Sequence, residues 1–183
     1  MPFAKNWSAA EDFLLLLADF CLNSKPKTIV ECSSGTSSLV LARCCQLNQC
    51  GHVYSLENGE EFAVQARQNL SDFSLSDYCD VLHAPLVDHS LDGELFQWYD
   101  ASDLSVADID LLVIDGPPGF IQKHSRYPAL PLLSCCLAKH CVVYLDDAAR
   151  EDEREIVTRW LTLFPQFQAE YIDNERGCAI LKR

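Results

Sequence analysis

Carboxylates recur in this chain where apolar, β-branched runs come to a stop. TIVEC at 28–32 carries Glu31, HVYSLE at 52–57 ends on Glu57, and IDLLVIDG at 109–116 closes with Asp115 and Gly116. CVVYLDD at 141–147 ends on Asp146 and Asp147. In an open α/β sheet, ligands bind outside the carboxyl ends of the strands, where strand order reverses. Acids at neighbouring strand ends therefore point to a crevice rather than to solubility alone. The first run leads into SSGTSS, where Gly35 between small serines lets the backbone approach a ligand closely. The helix N-terminus beyond it offers unpaired N–H groups suited to a carboxylate. Taken alone, the same residues read equally well as a helix N-cap. Glu57 tips the balance, because a carboxylate one βαβ unit downstream can accept hydrogen bonds from a ribose diol. The bland alternative is an exposed strand-end acid.

The elements that must position these acids alternate. Residues 9–22 are apolar almost all round, as a buried helix would be, and Pro26 ends the pattern. After TIVEC a helix is expected over 37–48, then the strand at 52–57. A helix follows over 60–70 with Phe62, Ala63, Ala66 and Leu70 apolar, then a strand at 79–86. The stretch from Asp88 to Ala107 is the least regular. IDLLVIDG is a near-continuous apolar run of the kind buried on both faces of a parallel sheet. A helix is expected over 128–139, a strand at 141–147, and a helix over 150–163 with Ile156, Val157, Trp160, Leu161 and Leu163 inward. Glu151, Asp152 and Glu153 in its first turn suit a helix N-terminus. Residues 167–173 and 177–183 read as a closing hairpin. The expected fold is an α/β, Rossmann-like doubly wound sheet, mostly parallel with an antiparallel addition, in one domain spanning 1–183.

Composition narrows the partners. The chain has 183 residues and a formal charge of −13, from 14 Lys and Arg against 27 Asp and Glu. Nucleic-acid binding depends on cations that neutralise phosphates, so DNA and RNA are disfavoured. The ten cysteines form no C-x-x-C unit, so the usual zinc spacings are missing. Several sit in apolar runs, where free Cys acts as a small hydrophobe. The short apolar run from Phe13 to Ala18 follows Glu11 and Asp12, which fits neither a signal peptide nor a membrane span. A reducing cytoplasm is the consistent expectation.

TIVECSSGTSSLVLA, VYSLEN, DLLVIDGPPG, SRYPALPLL and VVYLDDAAREDE together resemble the class I S-adenosylmethionine-dependent methyltransferases. More narrowly, they resemble the small O-methyltransferase-like proteins with an IDGPPG motif. The resemblance covers residues 28–183 and implies a seven-stranded sheet with the last strand antiparallel between its neighbours. It places an N-terminal helix, within 1–24, on or near the cofactor and substrate side. The family's first motif is an acid followed by glycines at alternate positions. Glu31 and Gly35 match it, while Ser33 and Ser37 stand where glycines are usual. By this resemblance, Glu31 and the loop of Ser33, Ser34, Gly35 and Ser37 face the methionine part of S-adenosyl-L-methionine. Glu57 and Asn58 face its ribose, Ala84, Pro85 and Leu86 its adenine, and Asp115 and Gly116 the methyl group. Some related O-methyltransferases hold Mg²⁺ with an acid after the fourth strand and an Asp-Asn pair after the fifth. Asp115, Asp146 and Asp147 match that set in part and leave the metal open. The G-x-G-x-x-G of a dehydrogenase is not present.

Methyl transfer from the sulfonium is an in-line displacement at carbon, so alignment and exclusion of water dominate. A hydroxyl acceptor also needs a base, for which Asp115 and Asp147 are the candidates, with His124 behind them. Arg126 and Tyr127 follow DGPPG closely and are expected above the crevice, Arg126 either clamping a substrate anion or pairing with a protein acid. Trp98 and Tyr99 are expected as an aromatic wall of the acceptor pocket or as core. His52, His83, His89 and His140 form no metal spacing. The expected activity is methylation of a small-molecule hydroxyl. Its rivals are another nucleotide-binding Rossmann enzyme and a catalytically silent domain that binds an adenosyl cofactor or a protein partner.

Overall fold

The computed structural model describes residues 9–183; the expectation for the N-terminal segment within 1–24 lies partly outside these. Helix α1 (Glu11–Ser24) leads, followed by β1 (Thr28–Cys32), α2 (Thr36–Asn48), β2 (His52–Glu57), α3 (Glu60–Asp72) and β3 (Cys79–His83). A hairpin of β4 (Leu86–Leu91) and β5 (Glu94–Tyr99) precedes β6 (Ile109–Ile114). The chain continues through α4 (Ala129–Leu133), β7 (Leu137–Asp146), α5 (Glu151–Leu163), β8 (Gln168–Ile172) and β9 (Cys178–Lys182). Seven strands form one sheet in the order β3-β2-β1-β6-β7-β9-β8. All are parallel except β9, which runs antiparallel between β7 and β8. The expected doubly wound sheet and the inserted last strand are both present.

Alternate side chains of each central strand enter opposite cores. Ile29, Leu111, Val113 and Tyr144 pack beneath α1 and α2, while Val30, Leu112, Ile114 and Val143 pack against α5, α4 and the hairpin. α1 buries Phe13, Leu17 and Cys21, spaced four apart along one face. Leu15 and Leu22 remain 63% and 43% exposed, so the helix is not buried all round as its composition implied. Its N-terminal turn nonetheless reaches the carboxyl side of the sheet, where the Asp12 carboxylate accepts the Glu175 N–H at 2.6 Å.

Three expected boundaries move, each for a backbone reason. The strand foreseen over 79–86 divides at Ala84-Pro85, since proline has no N–H for a ladder. The irregular stretch after it is an antiparallel hairpin that turns at Asp92 and Gly93, with φ of 52° and 82°, the type I′ geometry that Asp-Gly favours. The helix foreseen over 128–139 stops at Leu133 and gives way, after a 3₁₀ turn over Ser134–Cys136, to a ten-residue β7. The Arg183 guanidinium donates to the carbonyls of Leu137 and Ala138, which satisfies backbone at the start of that strand. Leu163, expected inward on α5, is 46% exposed, and the apolar Phe62 on α3 is 62% exposed.

Candidate active site

Strand order reverses between β1 and β6, and the acids gather at the carboxyl ends on both sides of that point. Their adjacency is built by backbone bonds just beyond the strands. Ser33 N–H donates to Leu56 O at 2.9 Å, Asp115 N–H to Cys32 O at 3.1 Å, and Ala84 N–H to Glu57 O at 2.8 Å. The loop from Ser33 to Gly35 leaves β1 with a positive φ of 91° at Ser33, an uncommon conformation for a residue other than glycine.

Glu31 is fully buried beneath this loop. Its Oε2 accepts hydroxyls of Ser38 at 2.5 Å and Ser55 at 2.8 Å. Burial pushes its carboxyl up to about 7 against the pull of these hydroxyls. Its Oε1 has no partner among the described residues. Ser38 Oγ also accepts the Gly35 N–H at 3.0 Å, so α2 begins on a serine three residues inside it rather than on a capping side chain before it. Glu57 is 5% exposed and organises the same loop. Its Oε2 accepts the Ser34 N–H at 3.0 Å and Ser34 hydroxyl at 2.9 Å, and its Oε1 accepts the Gly59 N–H at 3.0 Å. Neither Ser38 nor Ser55 was singled out in the sequence, although Ser55 interrupts the apolar strand HVYSLE, where a hydroxyl is unexpected, and Ser38 closes SSGTSS.

On the other side of the switch point lies a crevice of about 610 Å³, lined by Ser33, Asp115, Phe120, Arg126, Asp147 and Arg176 among others. Asp115, Asp146 and Asp147 each bring one oxygen to within 4.8 Å of the others. They differ in access: the side chains of Asp115 and Asp147 are 21% and 5% exposed, and Asp146 is 0%. Burial raises the Asp115 carboxyl to about 6, opposed by Arg126, and burial with the neighbouring Asp115 raises Asp146 to about 7.

Of the two readings of Arg126, a substrate clamp or a partner of protein acids, the geometry has the second. It is 3% exposed, and its Nη1 donates to Asp146 O at 2.8 Å. Its Nη2 donates to Asp115 O at 2.9 Å, Asp115 Oδ1 at 3.1 Å and Asp147 Oδ2 at 2.8 Å. A buried guanidinium without such partners would be prohibitively desolvated, so its fork serves the protein. Tyr127 is likewise 1% exposed and its hydroxyl donates to Asp92 Oδ2 at 2.6 Å, so it faces the hairpin and not a substrate. Trp98 and Tyr99 are core, both 0% exposed, rather than a pocket wall. The Tyr99 hydroxyl nevertheless sits where a Cβ on Gly116 would collide with it, so Gly116 is small for a packing reason. His124 hydrogen-bonds Glu155 at 2.6 Å, away from Asp115. Arg150, just before α5, was not foreseen, and Glu153, expected only as a first-turn acid, joins the cluster. Arg150 pairs with Asp147 at 3.0 Å and approaches Glu153 at 3.8 Å.

The Asp115, Asp146 and Asp147 oxygens are of the kind Mg²⁺ takes, but their arrangement does not fit a resident divalent ion. Arg126 Nη2 already bridges Asp115 and Asp147, and Arg150 shares the same Asp147 oxygen. Unit like charges 4 Å apart repel by about 4 kcal/mol at an effective dielectric of ~20, and a divalent ion doubles that. The Asp146 oxygens are buried and have no hydrogen-bond partner.

No curated protein matches the chain. Among solved structures, the S-adenosylhomocysteine-bound methyltransferase PaMTH1 of Podospora anserina is similar at a TM-score of 0.76 and 13% identity, with 98% of this chain and 82% of that one covered. An O-methyltransferase from Bacillus cereus, also in complex with S-adenosylhomocysteine, gives 0.73 at 17% identity, covering 97% and 83%. The O-methyltransferase TomG of Streptomyces achromogenes, bound to S-adenosylmethionine, gives 0.72 at 15% identity, covering 97% and 82%. At these identities the likeness is one of fold. A family described as a methyltransferase domain matches residues 30–148, a span that holds all four acid-bearing strand ends, and the chain belongs to that family.

Proposed function

We propose that this protein transfers the methyl group of S-adenosylmethionine to a hydroxyl of a small molecule. The observation that carries the reading is the convergence of the Ser33 loop, Asp115 and Asp147 on one crevice at the sheet's switch point. Similar folds bind S-adenosylmethionine or its demethylated product, which supports the cofactor. In this reading Glu31 and the Ser33–Ser37 loop take the methionine part, Glu57 and Asn58 the ribose, Ala84 to Leu86 the adenine, and Asp115 and Gly116 the region of the methyl. The buried acids complement a cofactor with positive charge on its sulfonium and ammonium groups.

Asp115 is the general base, because it is the one acid of the cluster with an accessible side chain and its Oδ2 is not engaged by Arg126. The acceptor oxygen attacks the methyl carbon as the carbon–sulfur bond breaks. The electron pair stays on sulfur, and the hydroxyl proton passes to Asp115. Asp147, tied to Arg126 and Arg150, fixes the far wall. No step runs through Mg²⁺. Ten unpaired thiols suit a reducing compartment such as the cytoplasm, and the charge of −13 suits a small-molecule acceptor over nucleic acid. No helix among the described residues is long and apolar enough to cross a membrane.

Calorimetry with S-adenosylhomocysteine tests the reading. Glu57→Ala removes acceptors for the ribose diol and releases Ser34 and Gly59, and charge-assisted bonds contribute about 1.5–3 kcal/mol each. Affinity is expected to fall at least roughly tenfold, about 1.4 kcal/mol, while NAD shows no binding to either protein. Unchanged affinity in the variant would remove Glu57 from the site.

A further inference from the structure

One side chain ties together the end of β6, the end of β7 and the first turn of α5. Arg126 reaches the carbonyls of Asp115 and Asp146, the carboxylates of Asp115 and Asp147, and, at 3.8 Å, the buried carboxylate of Glu153. Its neighbours in sequence are anchored, so the guanidinium is aimed rather than loosely enclosed. Ser125 Oγ donates to Pro117 O at 3.0 Å, and Trp160 Nε1 donates to Tyr127 O at 2.9 Å. The Tyr127 ring lies 3.8 Å from the Arg159 guanidinium, and its hydroxyl is held by Asp92 at the hairpin turn. A metal ion recruited to these acids would neutralise them and fix their spacing. A planar, permanently charged guanidinium does both for the Asp115 and Asp147 carboxylates and holds Asp146 through its backbone carbonyl, and its fork can meet several acceptors at once where an ammonium acts as a point charge.

We propose that Arg126 is the resident cation of the Asp115–Asp146–Asp147 cluster, a positioning residue that stands where a divalent ion would and makes the site independent of metal. This rests on the reading that the chain binds S-adenosylmethionine. The test uses the whole chain dialysed against EDTA, titrated with Mn²⁺ under electron paramagnetic resonance, and separately with S-adenosylhomocysteine by calorimetry. Wild type is expected to show no saturable Mn²⁺ site, with or without S-adenosylhomocysteine, and the same affinity for that ligand before and after dialysis. Arg126→Met keeps the unbranched stem without the charge. It is expected to lose S-adenosylhomocysteine affinity at least roughly tenfold and to gain a saturable Mn²⁺ site, a gain that a purely structural arginine would not produce. Arg126→Lys is expected to recover part of the affinity and to remain free of Mn²⁺. Should circular dichroism show the Met variant unfolded, the wild-type Mn²⁺ titration and the Lys variant still decide. A saturable Mn²⁺ site in wild type that Asp146→Asn removes overturns the proposal, as does undiminished affinity without Mn²⁺ uptake in a folded Arg126→Met. Failure of wild type to bind S-adenosylhomocysteine overturns the methyltransferase reading instead, so the two failures are separable.

Discussion

Glu31 is a carboxyl group with two hydroxyl donors on one oxygen, none on the other, and no cation bonded to it. Its folded pKa of about 7 exceeds the ordinary 4.5, so folding takes up a proton there. The sign follows: its stabilisation is fully present below about pH 4.5 and is lost as pH rises through about 7. Glu31→Gln keeps an oxygen for Ser38 and Ser55 and removes the titration. Urea unfolding of the ligand-free protein should show the variant gaining on wild type between pH 5 and pH 8, by on the order of 1–3 kcal/mol at the upper end. A constant difference across that range would contradict the buried, proton-holding Glu31. Gly35 makes a second prediction at this scale. Its φ of 168° is extended backbone open to any residue, and a Cβ there would meet nothing within 4 Å. Gly35→Val should therefore fold, with a far-ultraviolet spectrum like wild type, yet fail to bind S-adenosylhomocysteine, because its side chain projects beside the loop that approaches the ligand. Retained binding would show that this loop does not cradle the cofactor.

Among the elements, the β4–β5 hairpin and the β8–β9 turn hold the site from outside. The hairpin presents Asp92 to Tyr127, Glu94 to Arg159 at 2.9 Å, and the Phe96 ring to the Tyr127 ring at 5.2 Å. These contacts secure the segment that carries Arg126. Tyr127→Phe retains the ring and loses the hydroxyl bond, and with Asp92 exposed the cost should be about 1 kcal/mol in urea unfolding. A larger loss of S-adenosylhomocysteine affinity than of stability would show the hairpin acting on the site. The β8–β9 turn is held to the end of β7 by bonds from Ala148 N–H to Gly177 O and from Ala149 N–H to Arg176 O. Gly177 has a φ of +74°, and a Cβ there would strike the Ala149 nitrogen. Gly177→Ala should cost roughly 1–3 kcal/mol, measurable as an earlier urea midpoint, and should displace Arg176 from the crevice.

For the whole molecule, a ligand that binds only the folded state raises its stability by mass action. A ligand present at 100 times its Kd stabilises the folded state by about 2.7 kcal/mol. In a domain of this size that corresponds to a rise in Tm of roughly 5–11 °C. S-adenosylmethionine and S-adenosylhomocysteine should both produce such a rise, and NAD should produce none. A thermal shift with NAD alone would favour the rival nucleotide-binding reading.

Alternation of apolar runs with helical stretches was enough to read the parallel sheet, because it is a local pattern; of the acids closing those runs, Asp115 and Asp147 line the crevice and Glu57 holds the Ser34 backbone. Where a carboxylate stands at the end of a buried strand, its height in the sheet follows from the strand itself. The hairpin was also locally encoded, in Asp92-Gly93 between alternating residues, but its mixed polar and aromatic composition obscured the period. What the chain could not disclose were the partners across space. The sequence left Arg126 equally suited to a substrate anion or to a protein acid, since both satisfy a guanidinium. Only the meeting of β6, β7 and α5 decided it, by surrounding that charge with carboxylates more than 10 and more than 20 positions away along the chain. Trp98, Tyr99 and Tyr127 became core for the same reason: an aromatic side chain carries no sign of which surface will cover it until the elements have packed.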